Sequence, residues 1–488
     1  MAPQPLSAIL RQIAERRPDE PAITHDVSRT SQRLTWSELD RSTNRLARAY
    51  RELGVAQGDF VTIALPNGVE FYQAALATWK LGATPQPVSA RLPFLERDAI
   101  VELADPALVV GVEPGEHGER AQIAEGFSPD PSLSDGALPD LVAPHHKAMT
   151  SGGSTGRPKL IVSATPGELD LDVESPMEFA ADRAYLVPGP LYHNAPFAFS
   201  TAALFRGNHV VVMTRFDAEQ TLALIERYRI DYTVLVPTMM HRIWRLDADV
   251  RGRYDLSSLR VMLHMAAPCP DWLKRRWIEW LGPERIFELY GGTEAQGATW
   301  IDGNEWLAHP GSVGKPFETT TMKVLDDEGN ELPPGEVGEI FMMPETGPGS
   351  TYHYLGAEAK ERDGWESLGD MGWMDEDGYL YLSDRQTDMI LQGGANIYPA
   401  EIEAAIESHP AVRSSAVIGL PDEDLGNRVH GIVDAVEEVT EEELLEHLAE
   451  RLVRYKIPRS VEFVSEPLRD DAGKVRRSAL RAARLGDG

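Results

Sequence analysis

The chain has 488 residues, 42% hydrophobic and 25% charged, with a formal net charge of −30. That length and composition fit a soluble globular protein of more than one domain, and the acidic balance excludes a nucleic-acid binder, which needs a basic face. No run of about 18 apolar residues marks a membrane span. The opening Met1-Ala-Pro-Gln-Pro-Leu6 lacks the basic and apolar segments of a secretory signal. The lone Cys269 leaves no internal disulfide and fits a reducing cytoplasm; an inert buried thiol is the simplest reading of it.

Thr35 three residues before Glu38 is a capping box. Leu39, Leu46, Tyr50 and Leu53 follow at helical spacing, and Gly54 ends the run. Phe60-Val-Thr-Ile-Ala-Leu65 reads as a strand, Pro66-Asn-Gly68 as a turn, and 69–81 as a helix. Leu108-Val-Val-Gly-Val112 is another strand, and 113–146 reads as an irregular surface connection. Further on, short apolar runs at 184–187, 209–213 and 232–236 alternate with helical patterns such as 218–228. Such alternation predicts βαβ units and a mainly parallel sheet. From about residue 310, short strands between Asp- and Gly-rich turns predict a small antiparallel or barrel-like portion. A second boundary falls at 383–388. Beyond it Pro399 suits a first helical turn, and Thr440 with Glu443 makes another capping box. The predicted fold class is α/β. A large N-terminal domain of mixed and parallel sheets with helices, plus the barrel-like portion, spans 1–383, and a small α+β C-terminal domain spans 384–488.

Residues 149–159 read Met149-Thr-Ser-Gly-Gly-Ser-Thr-Gly-Arg-Pro-Lys159. Gly152, Gly153 and Gly156 permit positive φ and a close approach to a ligand, and such a loop turns its N–H groups into an anion nest. Thr150, Ser151, Ser154 and Thr155 add hydroxyl donors, and Lys159 adds a cation. The guest this suits is a polyphosphate; a flexible Gly/Ser connection is the plainer alternative. The common nucleotide loop requires Gly-x-x-x-x-Gly-Lys-Ser/Thr, whereas here Pro158 precedes the lysine and Leu160 follows it.

Further stretches join it in order: Tyr290-Gly-Gly-Thr-Glu294, Leu368-Gly-Asp-Met-Gly372, Asp384-Arg385 through Gly393-Gly-Ala-Asn-Ile-Tyr-Pro-Ala-Glu-Ile-Glu403, and Asp471-Ala-Gly-Lys-Val-Arg476. Together they resemble the motifs of the adenylate-forming superfamily, which contains acyl-CoA synthetases, peptide-synthetase adenylation domains and luciferase. The version here is most similar to bacterial acid–CoA ligases. The resemblance spans nearly the whole chain.

It implies ATP, Mg²⁺ and coenzyme A. The N-terminal domain would hold the ATP and acyl sites, and the C-terminal domain would move. A carboxylate attacks the α-phosphate of ATP to give an acyl-adenylate and pyrophosphate, and a thiol then displaces AMP. By this resemblance Lys474 bridges carboxylate and α-phosphate as a point charge on a flexible stem. Glu294 holds Mg²⁺, for which a carboxylate is the right hard ligand, and Thr293 donates to the α-phosphate. Asp370 takes the ribose, and Arg385 reaches the same ribose or the phosphates. Tyr290 and the Ala266-Ala267-Pro268 turn form the adenine slot, and Gly291 belongs to the same nucleotide site. His193 lies near the carboxylate or gates the acyl site. After adenylation Gly393 and Gly394 line the thiol tunnel. Thr387 takes the hinge position, where relatives usually carry Asp or Lys. On residue type alone Glu294 also suits a helix cap, Asp370 a turn, Lys474 a solvated surface and His193 a structural histidine. No His or Cys pair has the spacing of a zinc site.

The segments around 192–200, 238–244, 264–268 and 290–299 offer Phe197, Phe199, Met239, Met240, Trp244, Met262, Met265 and Trp300. They suggest a bulky apolar acid, aryl, fatty or steroid-like, although such residues also build ordinary cores. The expected function is an ATP-dependent acid–CoA ligase in the cytoplasm. The alternative passes the adenylate to a carrier-protein thiol or an amine, or activates a non-carboxylate such as nitrite in specialised metabolism. Carrier-protein binding and homodimer formation stay open.

Overall fold

In the computed structural model the described residues are 2–27, 30–152, 158–173, 177, 179–385, 388–392, 395–422, 425–470 and 473–485. A long mixed sheet organises the large domain. Its parallel part runs, in spatial order, through Pro21–Val27, His209–Met213, Ala184–Val187, Tyr232–Leu235, Val261–Met265 and Ile286–Gly291. Central strands such as Tyr232–Leu235 and Val261–Met265 are buried throughout, as a parallel sheet covered on both faces requires.

The sheet then turns antiparallel. Ala298–Asp302, Ser312–Pro316, Leu380–Arg385, Trp365–Met374, Gly338–Pro344 and Thr320–Leu325 continue it strand by strand. The change of texture expected near residue 310 is this antiparallel wing. Leu380–Arg385 keeps the chain in the large sheet as far as Arg385, just past the expected boundary at 383.

A separate parallel sheet is formed by Thr84–Pro87, Phe60–Ile63, Leu108–Val110 and Ala121–Ile123. The last strand lies within the segment read from sequence as irregular. Three residues are too few to show an alternation, and only the neighbouring strand makes them regular. A third, antiparallel sheet joins Ala148–Gly152, Pro158–Ser163 and Tyr352–Leu355.

The local signals hold. Thr35 Oγ1 accepts from the Glu38 N–H at 3.2 Å while Glu38 Oε2 accepts from the Thr35 N–H at 2.8 Å, opening the helix Trp36–Glu52. Thr440 and Glu443 repeat the device ahead of Glu441–Ala449. Pro399 is the first residue of the helix Pro399–Glu407. That helix packs with Glu441–Ala449 and the strands Val412–Asp422, Gly426–Ala435 and Ser460–Val464 into the α+β small domain, which has its own apolar core. Among the described residues no helix is long and apolar enough to cross a membrane.

Candidate active site

The glycine-rich stretch is the tip of a hairpin whose strands Ala148–Gly152 and Pro158–Ser163 pair Gly152 with Pro158. Gly153, Ser154, Thr155 and Gly156, and the Ser151 side chain, lie outside the described residues. The base of the hairpin is anchored by a chain of polar contacts. Gln86 Nε2 donates to Thr150 Oγ1 at 2.9 Å, and Thr62 Oγ1 donates to Gln86 Oε1 at 2.5 Å. Gln86 and Thr62 are fully buried, so Thr150 is fixed by the neighbouring parallel sheet.

Lys159, on the returning strand, reaches across to the large sheet. Its Nζ lies 3.9 Å from the centroid of the Tyr354 ring and 3.8 Å from Glu294 Oε1. Tyr354 Oη donates to the same Glu294 oxygen at 2.6 Å. Burial and the Glu294 charge push the Tyr354 phenol far up, so it stays a donor. Glu294 is therefore a buried carboxylate with Oε1 held by the protein. A Cβ on Gly292 would lie 2.7 Å from Oε2 and 2.9 Å from Leu368 Cδ1, so only a glycine fits against this carboxylate. A carboxylate is the hard ligand that suits a divalent cation taking its remaining ligands from phosphate and water. Among the described residues no cluster of His, Cys, Asp and Glu could hold a metal by itself.

Glu294 follows the C-terminal end of the parallel strand Ile286–Gly291, and Ala266 follows that of Val261–Met265. Ala266 has φ of 74° and Ala295 of 56°, conformations uncommon for a residue with a side chain. Crevices outside the carboxyl ends of such strands are where open α/β sheets take ligands. Ala267 and Pro268 line the cleft between the two domains. Tyr290 Oη donates to Asp370 Oδ2 at 2.9 Å, and Asp370 pairs across the antiparallel wing with Arg385. Tyr290, Asp370 and the backbone of Arg385 therefore lie together. The Arg385 side chain, Thr387, Gly393 and Gly394 lie outside the described residues.

His193 stands just before the helix Asn194–Phe205 in extended conformation, its side chain making no cap, with its ring 4.4 Å from that of Tyr192. The turn leading to it is held by buried Asn67, which sequence reasoning placed only in a turn. Asn67 Nδ2 donates to the carbonyls of Gly189 at 2.9 Å and Met213 at 3.0 Å, and its Oδ1 accepts from the Leu191 N–H at 2.8 Å.

Lys474 is exposed on a tight hairpin of the small domain. Its N–H donates to Asp470 Oδ1 at 2.9 Å, and the Gly473 N–H donates to the Asp470 carbonyl at 2.9 Å. Gly473, with φ of 77°, rests on the start of the helix Pro237–Trp244. An added Cβ would lie 3.0 Å from Thr238 Oγ1 and 3.5 Å from Val236 Cγ2. The same interdomain cleft is lined by Thr238, Ala267 and Pro268 from one side and Glu407 and Arg469 from the other. The lysine hairpin and the Ala266–Pro268 turn are thus brought to one cleft.

The apolar residues offered for an acid pocket do not form one group. Phe197, Phe199, Met265 and Trp300 join the core on one face of the main sheet, and Met239, Met240, Trp244 and Met262 join the core on the other. Met262 and Met265 are three apart in one strand, so their side chains must leave by opposite faces. Cys269 is part-buried, and desolvation pushes its thiol up.

The family model of the AMP-binding enzymes matches residues 10–354, and that of the AMP-binding enzyme C-terminal domain matches 401–474. The chain belongs to the AMP-binding enzyme family. Similar curated members include feruloyl-CoA synthase from Amycolatopsis sp, 34% identical over 92% of this chain and 93% of that one. Another is 2-succinylbenzoate–CoA ligase from Bacillus licheniformis, 30% identical over 96% and 98%. Among solved members, o-succinylbenzoate CoA synthetase from Bacillus subtilis with its acyl-adenylate intermediate aligns over 99% of both chains, with a TM-score of 0.81 and 25% identity. The same enzyme in complex with ATP and magnesium ion aligns with a TM-score of 0.80 and 26% identity, over 98% of this chain and 100% of that one.

Proposed function

We propose that this member of the AMP-binding enzymes is an ATP-dependent acid–CoA ligase. A carboxylate oxygen of the acid attacks the α-phosphorus of ATP, the bond to the β-phosphate oxygen breaks, and pyrophosphate leaves. The CoA sulfur then attacks the acyl carbon, and AMP departs with the bridging oxygen. The observation that carries this reading is the convergence at one cleft of the lysine hairpin of the small domain and the Ala266–Pro268 turn of the large one. The first step sets anion against anion, so the site must supply positive charge. Lys474 is assigned the approaching carboxylate and α-phosphate, and Lys159 the outer phosphates, together with the hairpin residues Thr150, Ser151, Gly152, Gly153, Ser154, Thr155 and Gly156.

Glu294 would hold Mg²⁺, and Thr293 would donate to the α-phosphate. The ion would supply charge neutralisation of the phosphates, on the order of several kcal/mol. Asp370 accepts from the ribose hydroxyls while Tyr290 orients it, with Arg385 alongside. Ala266, Ala267, Pro268 and Gly291 border the base. His193 stands at the acyl entrance. After a rotation about Thr387, Gly393 and Gly394 would admit the pantetheine arm. The division into domains at 383/384 belongs to this proposal, as does a cytoplasmic location, where ATP and CoA are supplied.

The acid is assigned to the bulky aryl class, as the names of the aryl-acid relatives support. A carrier-protein acceptor is the second reading, favoured by 31% identity over 97% of this chain to a fatty acid–[acyl-carrier-protein] ligase from Streptomyces coeruleorubidus. The test is pyrophosphate release from Mg-ATP with ferulate, 2-succinylbenzoate, benzoate and palmitate, with and without CoA. Acid-dependent release that CoA accelerates, with a thioester seen by mass spectrometry, supports the ligase. Release that CoA leaves unchanged favours the carrier protein, and no acid-dependent release refutes both.

A further inference from the structure

The lysine hairpin is short, and its internal bonds do not attach it to the body of the small domain. Leu468 and Val475 pack it onto the core of Ala416, Ile418 and Ile432, and Arg469, at its opening, adds the polar attachment. The Arg469 side chain is only 14% exposed. Its Nη2 is shared among Glu407 Oε1 at 2.9 Å, Glu403 Oε2 at 3.2 Å and the Ser415 carbonyl at 3.2 Å, and its Nη1 donates to the Gly473 carbonyl at 3.3 Å. Arg469 also bridges Val475 through the backbone, closing the hairpin across Lys474.

Glu403 and Glu407 lie on the helix Pro399–Glu407 and are themselves held. Glu403 accepts from the Val417 N–H at 2.8 Å and from Arg477 Nη2 at 2.9 Å on each oxygen, while Glu407 accepts from the Ser415 N–H at 3.0 Å. Arg477 also donates to Asp388 Oδ2 at 2.8 Å, at the segment where the chain enters the small domain. The carbonyl that Arg469 grips belongs to the peptide joining Gly473 to Lys474, and Gly473 is the residue that rests on Thr238 and Val236. The lysine backbone is thus seated on the large domain on one side and tied to a buried ionic network on the other. Charge-assisted bonds of this kind are the strong ones.

We propose that Arg469 is a positioning residue for adenylation: by gripping the Gly473 carbonyl and the carboxylates of Glu403 and Glu407, it fixes the Lys474 backbone so that the ammonium reaches the α-phosphate. The inference rests on the adenylation role proposed for Lys474. Arg469 acts through the hairpin and touches no reacting atom. Its effect is confined to the first half-reaction, because the second does not use Lys474. A displacement of about 1 Å in a positioned group costs on the order of 100-fold in rate.

The test uses the full-length protein, with whichever of ferulate, 2-succinylbenzoate, benzoate and palmitate gives the fastest wild-type reaction. Arg469→Ala is compared with wild type and Lys474→Ala in two assays: acid-dependent ATP–pyrophosphate exchange, and thioester formation from chemically prepared acyl-adenylate and CoA. For Arg469→Ala the account expects the kcat of exchange to fall about 100-fold. The KM for ATP and the rate of the second half-reaction should stay within about threefold of wild type. Amide hydrogen exchange at Gly473 and Lys474 should speed up. Equal loss of both halves makes Arg469 merely structural and overturns the inference. A raised KM for ATP with kcat kept also overturns it, since Arg469 would then be a nucleotide contact.

If Arg469→Ala fails to fold by circular dichroism, Glu407→Gln replaces it. That change weakens one charge-assisted bond, and the expected loss of exchange is about 10-fold with the second half intact; unchanged exchange refutes the inference. Lys474→Ala separates the two claims. Exchange surviving in Lys474→Ala sinks the role given to that lysine, whereas exchange lost in Lys474→Ala but kept in Arg469→Ala sinks only the inference about Arg469.

Discussion

Beneath the strand ends that carry Ala266 and Glu294 lies a buried ion pair that gives a sharp test of how the site is supported. Lys274 Nζ donates to Glu288 Oε2 at 2.6 Å, with side-chain exposures of 1% and 8%. The ring of His264 is fully buried beside them, with Nε2 3.7 Å from the same carboxylate. Burial holds the Glu288 carboxyl above its usual range even with Lys274 present, and burial together with the Lys274 charge holds His264 well below its own. Lys274→Met keeps the length of the side chain but leaves Glu288 buried and unpaired, and breaking a buried pair in this way costs about 3–5 kcal/mol.

The loss should depend on pH. A carboxyl whose pKa is raised in the folded state binds protons there more than in the unfolded chain, so folding gains stability as pH falls toward the unfolded value. Removing Lys274 raises that pKa further. The deficit of Lys274→Met measured at pH 7.5 should therefore shrink at pH 5.5, by up to about 2.7 kcal/mol at 1.36 kcal/mol per unit. The assay is urea unfolding followed by tryptophan fluorescence. Lys274→Met/Glu288→Leu, which removes both charges, should return to within about 1 kcal/mol of wild type. A single-mutant loss below about 1 kcal/mol, or the same loss at both pH values, would refute the reasoning.

Tyr354→Phe removes the hydroxyl bonded to Glu294 but keeps the ring under Lys159. The Mg²⁺ concentration for half-maximal ATP–pyrophosphate exchange should change about 10-fold, the size of one charge-assisted bond; an unchanged magnesium titration contradicts the role given to Tyr354. Asp370→Ala should raise the KM for ATP by about 10-fold or more through loss of bonds to an ionised acceptor, with the urea midpoint little moved. Asn67→Ala strands the Gly189 and Met213 carbonyls and the Leu191 N–H, and should destabilise by about 3 kcal/mol or more at about 1–3 kcal/mol per stranded group. Urea unfolding measures this loss, and a change below about 1 kcal/mol would show that water replaces the amide.

What the sequence revealed, and what it hid, follows from range. The capping boxes at Thr35 and Thr440, the proline opening Pro399–Glu407 and the short apolar runs that form Ala184–Val187, His209–Met213 and Tyr232–Leu235 are local devices, and each stands in the structure where its residues lie. The short motifs singled out the glycine-rich hairpin, Tyr290, Glu294, Asp370 and Lys474 because each is a local run of residues. The residues that hold them were hidden. Tyr354 meets Glu294 across 60 positions and Gln86 meets Thr150 across 64, and neither Tyr nor Gln carries a signal of its own at such a distance. The acid pocket was overdrawn because an apolar residue looks alike on either face of a strand. Only the register of Val261–Met265 shows Met262 and Met265 parting to separate cores.

The central claim is that a carboxylate oxygen bonds to the innermost phosphorus of ATP. With the best acid of the panel labelled with oxygen-18 in its carboxylate, and with Mg-ATP and CoA present, mass spectrometry of the nucleotide product reads that bond directly. The account predicts AMP carrying one labelled oxygen, with unlabelled pyrophosphate. Unlabelled AMP, or ADP with the label in inorganic phosphate, would contradict it.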